Sequence, residues 1–146
     1  MDVRSKVYLY QTAVEWTEQR KGRISCAGKP DMEVATPPEF KGHDGIWSPE
    51  DLFVASANIC LMTTFLAVAE RAGLVLTRYR SEAEGRLELV EGKFQFTAMT
   101  IKPTITIPAG GDAAKATELI EKAEANCLIS NSMKAKVSLE PTISGG

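Results

Sequence analysis

The chain has 146 residues, 44% of them hydrophobic and 25% charged, with a formal net charge of −2. That length fits a single domain with a core of its own, and the scattered lysines and arginines supply no electrostatic reason for a nucleic-acid or anionic-membrane partner. Three cysteines are too few, and odd in number, for a secreted disulfide scaffold. The segment Met1 to Lys6 mixes charges and leads into no apolar run, so the expectation is a cytoplasmic protein without a signal peptide.

The first predicted element is a strand over 7–16, rich in β-branched and aromatic residues. Turns at Lys21-Gly22 and Gly28-Lys29-Pro30-Asp31 bracket a short strand over 23–26, and a third strand over 32–36 completes an antiparallel meander. Pro37-Pro38 ends it, and 38–47 reads as a loop. Ser48 then makes a good N-cap, Pro49 suits the first helical position, and Glu50 and Asp51 complement the macrodipole. The helix they open runs to Ala72 and stops at Gly73. Between Leu52 and Ala69 it carries no charge, a length that reaches the lower limit for a membrane span. Ser56, Asn58, Thr63, Thr64 and several alanines weaken its transfer into lipid, so a helix buried on nearly all sides of a soluble protein is the better reading.

Two long strands follow over 74–90 and 94–107, joined at Glu91-Gly92-Lys93, with Pro103 pointing to an edge position or a bulge. Gly110-Gly111-Asp112 introduces a second helix over 113–126. Its apolar positions Ala116, Leu119, Ile120 and Ala123 fall at helical spacing, while Lys115, Glu118, Glu121 and Lys122 face water. A last strand over 136–140 precedes a loose Gly145-Gly146 tail. The order predicts an α+β fold, with largely antiparallel sheet packed around two central helices. An apolar helix in so short a chain needs more cover than one three-stranded sheet supplies, and a second copy of the chain would supply it, as an intertwined homodimer.

Chemistry points to the cysteines. A free cysteine on an apolar helix is ordinarily a small buried hydrophobe. To act as a nucleophile, Cys60 needs its thiolate, and mid-helix burial opposes ionisation, so a cation from elsewhere is expected. Arg20 and Arg23, in the charged turn Gln19-Arg20-Lys21-Gly22-Arg23, are the candidates, although such a turn is ordinarily a solvated hairpin tip. Glu50 either serves the helix dipole alone or also fixes the arginine bidentately. Ten residues at about 1.5 Å rise put it about 15 Å from Cys60 along the helix axis, so it acts through the arginine or from a partner subunit. Cys127 lies at a helix end or at the start of a further short turn; a C-terminal dipole disfavours its thiolate, which suits a resolving cysteine, and a half-buried cap residue is the plain alternative. Cys26, on a strand beside a turn, reads as structural. The only histidine is His43, and no clustered Cys/His spacing supports a metal. No glycine-rich nucleotide fingerprint is present either, so no cofactor is expected.

Taken in order, these segments resemble the OsmC/Ohr family, the osmotically inducible and organic-hydroperoxide-resistance proteins. Arg20-Lys21-Gly22-Arg23 resembles the family's arginine-bearing turn, with Arg20 at the catalytic position, and 36–42 the loop that follows. Ser48-Pro49-Glu50-Asp51-Leu52 with Cys60 is similar to the Asn-Pro-Glu-x-Leu helix and its peroxidatic cysteine, and 127–130 to the resolving Cys-Pro-x-Ser segment. Leu128 stands in place of the usual proline, Leu61 in place of a frequent phenylalanine, and Ser48 in place of asparagine. The resemblance implies a thiol peroxidase that reduces organic or inorganic hydroperoxides through a Cys60 sulfenic acid and a Cys60–Cys127 disulfide. In that scheme Arg20 holds the thiolate and Glu50 orients Arg20. It also implies an interwoven homodimer with interfacial sites and re-reduction by a dithiol, a lipoyl group in one branch. The alternatives are a non-enzymatic binder of an apolar ligand at an interface lined by Phe53, Met62 and Phe65, or a purely structural dimer.

Overall fold

The computed structural model describes residues 6–145. The N-terminal charged run, apart from Lys6, and the final glycine of the tail lie outside them. The chain falls into two compact units, one ending at Leu52 and one beginning at Phe53.

The first unit is the predicted meander. Strands β1 (Ala13–Glu18), β2 (Lys21–Ser25) and β3 (Met32–Ala35) pair antiparallel in the order β1-β2-β3. The first strand begins at Ala13 rather than Val7, because β2 offers partners only from Lys21 to Ser25, and Ala13↔Ser25 is the last pair. Strand propensity in 7–12 does not make a strand where no neighbour supplies hydrogen bonds. The expected loop contains a 3-10 turn at Pro38–Phe40, and the Ala35 N–H donates to the Trp47 carbonyl at 3.0 Å, holding the two ends of the loop together.

Helix α1 (Pro49–Ala72) starts and ends as its sequence predicts. The Ser48 N–H donates to Asp51 and the Asp51 N–H donates to the Ser48 hydroxyl, both at 3.0 Å, a reciprocal cap. At the other end Gly73 has φ 71°, its N–H donates to the Glu70 carbonyl, and the Leu74 N–H donates to the Ala69 carbonyl. That pair of bonds is a Schellman stop, which requires the left-handed backbone that glycine adopts without strain. It also delays the next strand. Strand β4 begins at Arg78, not Leu74, because Leu74 is spent on the cap and on packing against the core.

The second unit is built on β4 (Arg78–Val90) and β5 (Lys93–Thr106), an antiparallel hairpin. Strands β6 (Lys136–Leu139) and β7 (Thr142–Ser144) both pair parallel with β5, so the sheet is mixed and β5 is its central strand. Pro103 therefore marks neither an edge nor a bulge. The bulge lies at the Arg86/Leu87 register shift, opposite Thr97. Pro103 pairs with Ser81 of β4, but on its other side it falls between the positions paired with β6 and those paired with β7, where neither strand is in register to take an N–H. Strand β7 was not foreseen.

Helix α2 (Ala113–Ala125) is capped by Asp112, whose side chain accepts from the Lys115 N–H at 3.0 Å, and α3 (Leu128–Asn131) follows at once. Ala116, Leu119, Ile120 and Ala123 of α2 meet Ala57, Leu61, Phe65 and Ala69 of α1 and Met99, Ile101, Ile105 and Ile107 in one buried cluster. Spacings of three and four on the helices, and even spacings along and just past β5, put these residues on single faces. Lys115 departs from expectation. Its ammonium donates to the Ala72 carbonyl at 2.7 Å, satisfying a free acceptor at the end of α1 rather than facing water.

Within one chain α1 is not covered on nearly all sides, since Ile59 is 57% and Leu66 40% exposed. It is long and apolar enough to cross a membrane by length and composition. Even so, the Asn58 amide donates to the Ser81 carbonyl of β4 at 3.1 Å, and Phe53 stacks on Phe96 at 4.8 Å. Close approach to the hairpin rests on Gly85. A Cβ there would lie 2.7 Å from Val54 Cγ2 and 2.8 Å from Phe96 Cε1. Gly85→Ala is expected to destabilise the chain by about 1–3 kcal/mol, read as a lower urea midpoint. An unchanged midpoint would contradict this packing.

Candidate functional site

The second unit brings two of the four predicted site residues together. Cys60 faces inward from the middle of α1, one turn before Thr64, whose hydroxyl lies 3.9 Å from its sulfur. Cys127 is completely buried at the junction of α2 and α3. Its N–H donates to the Glu124 carbonyl at 3.2 Å, and its own carbonyl accepts from the Asn131 N–H at 3.0 Å. It therefore caps the N-terminus of α3 just after α2 has ended. Both cysteines are free thiols, and they are close enough for each to influence the other's ionisation.

Their environments separate them electrostatically. Burial pushes the Cys60 thiol up, but this is outweighed by the backbone N–H of Ile129, the Cys127 thiol, the Thr64 hydroxyl and the backbone N–H of Leu128. The net effect holds Cys60 below the ordinary cysteine value. Cys127 moves the other way. Burial raises it, the Ser130 hydroxyl and N–H pull back only part of that, and a neighbouring Cys60 thiolate raises it further. When one proton leaves the pair, Cys60 is the sulfur that gives it up.

The predicted need for a distant cation is thus met in part by backbone amides, which the sequence reading missed. Leu128 takes on meaning here, because a proline at that position would have no N–H to offer the thiolate. Thr64 was legible as the residue four beyond Cys60 on the same helix face.

Arg20 and Glu50 belong to the first unit. Arg20 occupies the tight turn between β1 and β2, exposed, with its guanidinium donating to the Phe40 carbonyl at 3.5 Å. Glu50 sits in the first turn of α1, with Oε1 buried and without a hydrogen-bond partner. Among the described residues no ion pair joins Arg20 to Glu50. Arg23 stands in register between Glu15 of β1 and Glu33 of β3, where opposite charges favour strand pairing. Cys26 is half-buried and free, just past the end of β2.

Further polar groups surround Cys127. Ser130 follows it in α3 and Glu124 precedes it in α2. Ser130 Oγ, Glu124 Oε2 and the Tyr79 hydroxyl are all buried without a hydrogen-bond partner. Burial raises the Glu124 carboxyl, against a smaller pull from Ser130. Burial, joined by the charges of Glu124 and Cys127, pushes the Tyr79 phenol up to about 12 against the pull of Ser81. Glu124 continues the buried stripe of Ala116 and Ile120 at intervals of four, which is the signal that could have found it.

A family model described as OsmC-like protein matches residues 42–142. The chain is 27% identical over 110 residues to the uncharacterized protein YmaD of Bacillus subtilis, covering 73% of each chain. It is 30% identical over 101 residues to the peroxiredoxin OsmC of Escherichia coli, covering 69% of each. The solved structure of an OsmC-like protein of unknown function from Vibrio cholerae superposes with a TM-score of 0.85 at 20% identity, over 92% of this chain and 99% of that one.

Proposed function

Because the chain belongs to the OsmC-like protein family, we propose that it is a cysteine-based hydroperoxide reductase. The observation that carries this reading is the pair of adjacent buried thiols with opposed acidities. The Cys60 thiolate attacks the distal peroxide oxygen and the O–O bond breaks. Cys60 becomes a sulfenic acid, and the alkoxide leaves as the alcohol after taking one proton. The Cys127 sulfur then attacks the Cys60 sulfur, the S–O bond breaks, and a disulfide and water are formed. A dithiol reductant returns the disulfide to two thiols by exchange. The name of the Escherichia coli relative, a peroxiredoxin, supports the same chemistry.

The proposal keeps Arg20 as the cation that favours the Cys60 thiolate and Glu50 as the carboxylate that orients it. It also includes association of two copies, for which exposed Ile59 and Leu66 on α1 are the support, since apolar side chains on a core helix gain by being covered. The rival reading, an apolar-ligand binder, loses part of its lining. Phe65 is fully buried and Phe53 is stacked on Phe96, both spent on packing.

Intact mass before and after one equivalent of an organic hydroperoxide tests the reading. Loss of two hydrogens, mapped to a Cys60–Cys127 bridge, is the expected result. A protein left unchanged, or oxidised only at Cys26, would reject it.

A further inference from the structure

The thiol peroxidase reading leaves one chemical problem. Cys127 must lose its proton to attack, yet it is completely buried, and burial holds its thiol above the ordinary value. No cation among the described residues is recorded at its sulfur. Two unused polar groups flank it. Glu124 is one turn earlier, its backbone carbonyl bonded to the Cys127 N–H. Ser130 is one turn later, in the short helix that Cys127 caps. Glu124 Oε2 and Ser130 Oγ are buried with no hydrogen-bond partner, an arrangement that costs stability and so calls for a purpose.

We propose that Glu124 is the proton acceptor for Cys127 in the resolving step, reached through the Ser130 hydroxyl. This inference rests on the thiol peroxidase reading and deepens it. As the Cys127 sulfur attacks the sulfenic sulfur of Cys60, the thiol proton passes to Ser130 and the Ser130 proton to the Glu124 carboxylate. The S–O bond breaks, and the hydroxide that leaves takes the proton that Glu124 received and departs as water. Cys127 is oxidised, the sulfenic sulfur is reduced, and Glu124 returns its proton, so no outside oxidant is needed. Ser130 is buried, and neither its hydroxyl nor Glu124 Oε2 is committed to another partner, so rotation of that hydroxyl completes the relay; it already acts on both ends, favouring ionisation of Glu124 and of Cys127. The titratable groups that face this relay are Tyr79 of β4, which feels the charges of both Glu124 and Cys127, and Cys60 of α1. Burial raises Glu124 toward the working range of a general base.

The sign of the pH dependence follows. The accepting carboxylate exists above the raised Glu124 value and is lost as pH falls through it. Without that carboxylate, resolution depends on direct ionisation of Cys127, which needs alkaline pH.

The test follows sulfenic acid and disulfide after mixing the full-length reduced protein with tert-butyl hydroperoxide, across a pH series. In Glu124→Gln, the sulfenic acid is expected to accumulate near neutral pH, with disulfide formation slowed roughly 10²-fold, the usual scale for general base catalysis. The gap to the parent is expected to close as pH rises toward the Cys127 value. Ser130→Ala is expected to give the same pH shape, which guards against a folding defect particular to the glutamine variant. Resolution at the parent rate at every pH, or slowed by one constant factor throughout, overturns the relay alone. A parent that forms no disulfide overturns both the relay and the reading on which it rests.

Discussion

Cys60→Ser is expected to bring hydroperoxide consumption, in the presence of a dithiol, down to the uncatalysed rate. The loss is on the order of 10³-fold or more, at least about 4 kcal/mol of barrier, because a serine hydroxyl neither ionises near neutrality nor forms the sulfenic acid. The protein itself should fold normally, since one oxygen replaces one sulfur at a site beside the Thr64 hydroxyl. In the parent, the initial rate should rise with pH and level off below the ordinary cysteine value, because amide donors and Thr64 outweigh burial at Cys60. Protonation removes the nucleophile, so the rate is lost as pH falls through that depressed value. Equal turnover in Cys60→Ser and parent would remove Cys60 from the chemistry.

Phe65→Ala is expected to give the largest loss of stability of any single truncation. Phe65 is fully buried in α1 and packs against Tyr79 with ring centroids 5.7 Å apart, so alanine removes a large apolar side chain and leaves a cavity lined by the α2 and β5 residues of the same cluster. Such truncations cost about 3–5 kcal/mol, a large share of the roughly 5–15 kcal/mol that holds a domain of this size folded. The melting temperature should fall by roughly 10–15 °C. A shift of a degree or two would mean that the α1–sheet contact is not where the stability resides.

The two results are linked by position. Cys60 and Phe65 lie on one continuous helix whose buried face carries both the core and the thiol. Apart from Thr64 on the same helix, the residues that tune the thiol come from elsewhere: Ile129 and Leu128 from α3, and Cys127 from its cap. A rigid helix holding the nucleophile against a short capped segment that holds the resolver is a suitable base for a step in which two sulfurs must meet.

Much of this was legible in the residues because the rules involved are local. The α1 start at Ser48 and its stop at Gly73 follow from cap chemistry over three or four neighbouring residues. The buried stripe of α2 follows from helical periodicity, and the quoted segments carry the family resemblance by themselves. Errors clustered where a residue's fate depended on a distant partner. The strand propensity of 7–12 found no neighbour to pair with, Pro103 sits in a central strand because β6 and β7 meet β5 on either side of it, and Lys115 turned to the end of α1 forty-three residues away.

The same division holds at the thiols. Residue types and their spacing were enough to establish two cysteine-bearing segments, one helix of unusual apolar length and an α+β order, since propensity, capping and periodicity act over a few residues at a time. Tertiary structure alone assigned the acidities. It seated Cys60 against the amides of α3, closed Cys127 off from water, and placed Glu124 and Ser130 around it. Desolvation and amide dipoles depend on what surrounds a sulfur in three dimensions, and that neighbourhood is assembled from parts of the chain some seventy residues apart.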